Sequence, residues 1–403
     1  MSREVSVTDD LVSPPPLGRA AQWRRSRRTR EGLVTAIMPV FDVKPYVEDA
    51  IRSVLSQEGV DLEVIVVDDT STDGTDDVVA ALAREDRRVT LLRQDHGGPN
   101  AARNRALDVA RGEYVAFLDG DDLLLPGAYA DLQGSLRASG SDFAAGGYHR
   151  LTDEGTRPAG HWIGRAHAAR QDGVDVESAS GAMTNVVVWS KMYRRSFWDA
   201  HVRSFATHGY YQDQLVAARS YAHASSFDLL DRDVVSWRIR GEGSSMTQQL
   251  VDVANMRDRF RTAREGLLIY EAVRGAGIAE RRLVQLLNFD FGHTIGQVDR
   301  TSDEYWAELV EQVRGLLGHV RRPQTWARIA AQHKVLYLLV AEGRRDDALQ
   351  FIAEGGRKIR RMEFEDDGED VHVHLPFWGD PGIPRWAFRA DRRQAEILRS
   401  RTP

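Results

Sequence analysis

The apolar positions between residues 33 and 118 switch repeatedly between two periods. Residues 33–41 form an apolar run that carries Pro39 near its end, the pattern of a strand buried on both faces. In residues 44–57, Val47, Ala50, Ile51, Val54 and Leu55 fall on one helical face. Residues 62–67 are again apolar and β-branched. Asp73-Gly74-Thr75 opens a second helix with Val78, Val79, Leu82 and Ala83 as its stripe. A third strand is expected over 89–93, a helix over 100–110 and a fourth strand over 114–118.

Strands alternating with amphipathic helices predict an α/β fold with a mostly parallel, Rossmann-like sheet covered on both faces. Residues 142–247 read as mixed, with strands at 186–189 and 234–238 and a helix at 213–222. From residue 248 the pattern becomes helical, over 251–271, 279–289, 303–317, 323–341 and 346–361. The expected organisation is a tail over 1–31, an α/β domain over 32–247, an all-helical domain over 248–362 and a linker or tail over 363–403.

Composition narrows the function. The chain has 403 residues, 42% of them hydrophobic and 28% charged, as in soluble globular proteins. Its net charge of -6 gives no reason to expect a nucleic-acid partner. Cysteine is absent, which excludes disulfides, Cys-ligated zinc and thiol nucleophiles. No apolar run reaches the ~20 residues of a membrane span. Pro14-Pro15-Pro16 precedes Arg19, Arg24, Arg25, Arg27, Arg28 and Arg30. This segment reads either as a solvated arm or as an electrostatic tether to an anionic membrane surface.

The candidate chemistry collects where the strands end. Strand one runs into Phe41-Asp42, strand two into Asp68-Asp69, strand three into Gln94-Asp95-His96, and strand four into Asp119-Gly120-Asp121-Asp122. Ligands of open α/β sheets bind beyond the carboxyl ends of the strands. Acids one residue apart at such an end suit Mg²⁺ or Mn²⁺, although Asp also favours plain turns. Neither a Gly-x-Gly-x-x-Gly turn nor a Gly-x-x-x-x-Gly-Lys-Ser/Thr loop follows the first strand. Phosphate charge would therefore fall to a metal and to side-chain cations. Asp213 is either a helix N-cap or a base. Arg238 and Arg240 share a strand face, either solvated or clamping phosphate. His372 and His374 alternate in the same way and lack an evident third ligand. Trp189, Trp198 and Trp237 suit sugar stacking or core packing.

Residues 33–247 resemble family 2 glycosyltransferases of the GT-A fold. The matching segments are Met38-Pro39-Val40-Phe41, Val66-Val67-Asp68-Asp69-Thr70-Ser71-Thr72-Asp73-Gly74-Thr75, Ala102-Arg103-Asn104 and Gly112-Glu113-Tyr114 leading to Asp119-Gly120-Asp121-Asp122. Lys191 to Trp198 and Gln212-Asp213-Gln214 are similar to the subset acting on bacterial wall and capsular polymers. More narrowly, the chain is similar to the N-terminal part of actinobacterial teichoic-acid or capsule polymerases, in which a glycerophosphotransferase module follows.

The resemblance implies a metal-dependent, inverting transfer from a nucleotide-sugar donor, a UDP-sugar, to a polymer or lipid-linked acceptor. It places Pro39, Val40, Phe41, Asp42 and Asp69 around the base, and His96 and Arg103 beside the nucleotide. Asp119 and Gly120 would lie near the ribose, with Asp121 and Asp119 on the metal. Asp213 would be the general base, and Arg238, Arg240 and Ser244 would face the diphosphate. Gln212 stands where the family usually has Glu, and His96 where it usually has Asn. The expected location is cytoplasmic, peripheral at the inner face of the plasma membrane, with a homo-oligomer or a glycerophosphotransferase module as partner. A catalytically inactive sugar-nucleotide-binding module and a nucleotidyltransferase are the alternatives.

Overall fold

The computed structural model describes residues 9–12, 29–240, 252–296 and 302–400. It divides into two compact units: residues 1–244 with 268–278, and residues 245–267 with 279–403.

The first unit is built on one mixed sheet. Its leading strands are β1 (Arg30–Val40), β2 (Asp61–Asp68), β3 (Val89–Arg93) and β4 (Gly112–Phe117), all parallel in the order β3-β2-β1-β4. Positions 33–40 of β1 are buried without interruption, because helices cover both faces. One face packs Val34, Ala36 and Met38 on Val47, Ile51 and Val54 of helix Lys44–Leu55. The other carries an aromatic cluster in which Phe117 meets Trp198 and Phe205.

Beyond β4 the order is β9-β6-β10-β5, where β5 is Leu123–Leu124, β6 is Phe143–Thr152, β9 is Lys191–Arg194 and β10 is Phe227–Arg238; β7 (Gly155–Pro158) pairs with β6 and β8 (Gln171–Val174) with β10. β9 runs antiparallel to both neighbours, and β6 pairs parallel with β10. The hydrophobic pattern does not announce β6. Its Ala144-Ala145-Gly146-Gly147 run has weak strand propensity. Gly146 is required by close approach: a Cβ there would lie 2.4 Å from Val234 Cγ1.

Three expectations need correction. Residues 186–189 are a loop, buried at Val188 and Trp189, not a strand, and β9 starts at Lys191. The buried Lys191 ammonium takes the carbonyls of Asn185 and Val187, at 2.8 and 2.5 Å, turning them away from any ladder. The segment read as a tail contains a helical turn, Asp9–Val12. Its Leu11 and Val12 carbonyls accept from Arg219 and His223. The segment 363–403, expected as a linker or tail, is core structure of the second unit over its described residues.

That unit surrounds one apolar core, contributed by helices Asp303–Leu317, Ala331–Ala341 and Arg345–Ala353, the hairpin Phe364–Asp366/Val371–Val373 and helix Arg392–Arg399. The predicted helix at 323–341 is broken after Trp326. Asp391 and Gln394 form a capping box at the last helix, and Gln394 Oε1 also accepts from Ala331 N at 2.9 Å. Prolines and acidic residues make this stretch look like a linker, while Val371, Val373, Phe388 and Leu398 are its core side chains. Leu398 is fully buried, so Leu398→Ala should lower unfolding free energy by about 2–5 kcal/mol in denaturant titration. A change below about 0.5 kcal/mol would mean that the last helix does not pack on this core.

Candidate active site at the strand ends

Polar side chains gather at the carboxyl ends of β1, β2 and β4. Asp69 is 2% exposed, and its carboxylate organises the loop after β3. It accepts from Gly97 N, Gly98 N and Gln94 Nε2, each at 2.8 Å, and lies 3.1 Å from His96 Nδ1. Asp42, at φ 47°, accepts from Thr72 N at 2.7 Å and so ties the end of β1 to the loop after β2. Asp73 accepts from Lys44 N, Thr75 N and Thr75 Oγ1, joining the starts of two helices; burial pushes its carboxyl up, but these hydrogen bonds, that of the Thr75 hydroxyl first, hold it below the usual range.

Phe41 is 45% exposed, with its ring 5.0 Å from that of His96. A large apolar side chain left open beside an imidazole offers a face for a planar ring.

The acidic turn after β4 is held by cations from distant segments. Arg103, on helix Gly98–Val109, pairs with Asp119 at 2.5 Å and also contacts Asn100. Arg240 pairs with Asp121 at 2.5 Å. Arg238 N donates to Asp122 Oδ1 at 2.8 Å, and its Nε donates to the Asp121 carbonyl. Gly120 is needed because a Cβ there would lie 2.6 Å from Val40 Cγ1. Burial raises the Asp121 carboxyl, Asp119 raises it further, and Arg240 opposes both. Asp122 is held well above the ordinary value by burial and by the charges of Asp121 and Asp119.

Asp213 lies in the first turn of helix Gln212–His223. Tyr211 occupies the N-cap, so the plain capping reading fails. Burial raises the Asp213 carboxyl; Arg103 pulls it down, Asp119 pushes it up and Lys191 lowers it. Gln212 is buried, and its amide donates to the His208 carbonyl at 2.5 Å. A carboxylate in its place could not make that bond, which gives the Glu-to-Gln departure a local use.

Pro39 and Val40 close β1, next to Gly120. Ser244 lies outside the described residues. Trp189 and Trp237 pack with Tyr148, and Trp198 is fully buried, so all three serve packing. His374 stacks on Trp378. Among the described residues no group of three or more His, Cys, Asp or Glu side chains is arranged to hold a metal, and this includes His372 with His374.

Three contributors escaped the sequence reading. Tyr46 lies under both guanidinium groups, 4.8 Å from Arg238 Cζ and 5.7 Å from Arg240 Cζ. Asn104 exchanges two hydrogen bonds with the Phe205 backbone and so ties helix Gly98–Val109 to the segment before helix Gln212–His223. Lys191 is fully buried near Asp213, its ammonium lowered to about 7 by desolvation. A lone lysine in an apolar stretch was the available signal for the last.

A parallel sheet whose polar residues converge at its carboxyl ends defines the doubly wound class, with its ligand cleft at that edge. Residues 35–202 match the sequence profile of glycosyl transferase family 2. It is 45% identical over 101 residues to the Campylobacter jejuni GalNAc(5)-diNAcBac-PP-undecaprenol beta-1,3-glucosyltransferase, covering 25% of this chain and 33% of that one. It is 24% identical over 216 residues to the Streptococcus pneumoniae glycosyltransferase GlyA, covering 51% and 30%. Of Bacillus subtilis EpsH, also named as a glycosyltransferase, it spans 60%. The structure of S. aureus TarS 1-349 in complex with UDP-GlcNAc superposes with a TM-score of 0.70 at 19% identity, covering 89% of this chain and 99% of that one. The shared fold therefore extends into the second unit. No helix among the described residues is long and apolar enough to cross a membrane.

Asp69→Asn weakens the charge-assisted acceptor for two backbone N–H groups. It should cost about 1.5–3 kcal/mol in stability and speed hydrogen exchange at Gly97 and Gly98. Unchanged exchange at both amides would show that Asp69 does not hold this loop.

Proposed function

We propose that the first unit is an inverting glycosyltransferase. It moves a sugar from a nucleotide diphosphate donor, a UDP-sugar, to a hydroxyl of a cell-wall or capsular polymer or of a lipid-linked acceptor. The observation that carries this reading is the meeting of Asp119, Asp121 and Asp122 with Arg103, Arg238 and Arg240 at the carboxyl ends of a family 2 sheet.

In this reading Phe41 and His96 receive the base. The guanidinium groups of Arg238 and Arg240, steadied on Tyr46, face the diphosphate. Asp119 and Asp121 fit a divalent cation of the Mg²⁺ or Mn²⁺ kind. Burial and then Asp119 raise the cost of ionising Asp121, and two carboxylates would leave the remaining positions to water and phosphate oxygens, as such ions prefer. When bound, the ion supplies charge neutralisation for the departing diphosphate.

Asp213 is the base. An alcohol is too weak an acid to ionise beforehand at neutral pH. Asp213 therefore takes the acceptor proton while the new C1–O bond forms and the bond from C1 to the phosphate oxygen breaks, with the electron pair leaving on the nucleoside diphosphate. Burial raises the Asp213 carboxyl, and Arg103 and Lys191 pull against it, favouring the ionised form. TarS, of the same fold, has been solved with UDP-GlcNAc, and a relative transfers glucose to an undecaprenol-linked acceptor by name. Both support a UDP-sugar and a wall-type or lipid-linked acceptor. The Arg-rich segment within residues 1–31 suits peripheral attachment at the inner face of the plasma membrane.

Asp213→Asn should reduce turnover by about 10²–10⁴-fold while UDP affinity stays within about twofold. Activity requires ionised Asp213, whose carboxyl is raised. The rate should therefore fall, as pH is lowered, at a point above the ordinary carboxylate range. Asp121→Ala should remove the dependence of UDP binding on Mn²⁺. Full turnover in Asp213→Asn, or metal-independent UDP binding by the wild type, would refute this mechanism.

A further inference from the structure

The second unit carries a cleft that the transfer chemistry does not use. Trp326 and Trp386 face each other there, with ring centroids 5.0 Å apart and planes inclined at 45°. Trp386 is 40% exposed, although an indole of that size is normally covered. The cleft encloses about 520 Å³, and its walls add Arg321, Arg322, Arg389 and Lys334, with no acidic residue among the lining. Arg322 and Arg389 pair with Glu280 and Asp370 outside the lining, yet their side chains remain 64% and 42% exposed. Lys334 is buried beneath, donating to the Arg389 carbonyl at 2.6 Å. In a chain of net charge -6, three guanidinium groups line this cleft, while burial lowers the Lys334 ammonium to about 7.

We propose that this cleft binds an anionic glycan: a sugar or polyol chain bearing phosphodiester or carboxylate groups. Aromatic faces pack on the C–H surfaces of sugars and polyols, and guanidinium groups pair with phosphate or carboxylate in bidentate fashion. Two rings inclined at 45° leave no parallel slot for a flat base, which favours a puckered chain over a nucleic acid. The cleft then holds the acceptor polymer. That last step rests on the transferase reading; the binding itself does not.

The test titrates the full chain calorimetrically with a glycerol-phosphate hexamer, a galacturonate hexamer, neutral maltohexaose and the oligonucleotide dT6. At least one of the two anionic glycans should bind, more weakly as NaCl is raised, and maltohexaose should bind far less. Trp386→Ala, and separately the double variant Arg321→Gln/Arg322→Gln, should each weaken binding by roughly tenfold or more, with Trp386→Phe retaining most of it. UDP affinity should be unchanged in all three. Absence of binding by both anionic glycans, wild-type affinity in the variants, or dT6 binding as tightly as the glycans would overturn the proposal. Failure of the wild type to bind UDP would instead refute the transferase reading and leave this one standing.

Discussion

The first unit depends on keeping several carboxylates together at the edge of one sheet. Left alone, Asp119, Asp121 and Asp122 would repel one another and resist burial. Three arginines from elsewhere in the sequence offset this. Arg103 comes from the helix before β4, while Arg238 and Arg240 come from the end of β10 and just beyond. Arg238 and Arg240 thereby join the end of β10 to the turn after β4, so charge balance at the site and closure of the sheet are one constraint. A pair of this kind stores opposite charges where a charged ligand can exchange with either partner.

The same logic separates the acids that build the site from those free to act in it. Asp69, Asp42 and Asp73 spend their oxygens on backbone N–H groups and thereby shape three loops. Asp119 and Asp121 are held by side-chain cations, which a ligand can displace. Asp213 accepts from its neighbouring Gln214 N at 3.0 Å. The resemblance assigned Asp69 to the nucleotide base. Its carboxylate also holds the loop that presents His96 beside Phe41.

Much of the first unit was legible because burial on both faces writes long apolar runs. The strands at 33–41, 62–67, 89–93 and 114–118 were readable in this way, and so were the carboxylates that follow them. β6 was not, since Ala144 to Gly147 answer to the close approach of Val234 rather than to strand propensity. The 186–189 run misled for the complementary reason. Its Val188 and Trp189 side chains are buried, as in a strand, while the Asn185 and Val187 carbonyls serve an ammonium. In the second unit the misreading of 363–403 has a similar origin, because proline and acidic residues mark turns whether or not the turns lie over a core.

By itself the sequence determined the alternation of strand and helix, the acids at the strand ends and the family to which they point. These are local properties, set by periodicity and by the order of short motifs. Only the tertiary structure decided the partners: Arg103 with Asp119, Arg240 with Asp121, Tyr46 beneath two guanidinium groups and Trp326 against Trp386. Each joins residues far apart along the chain or on different elements. No spacing rule encodes such contacts, since they follow from where the packed elements bring their ends.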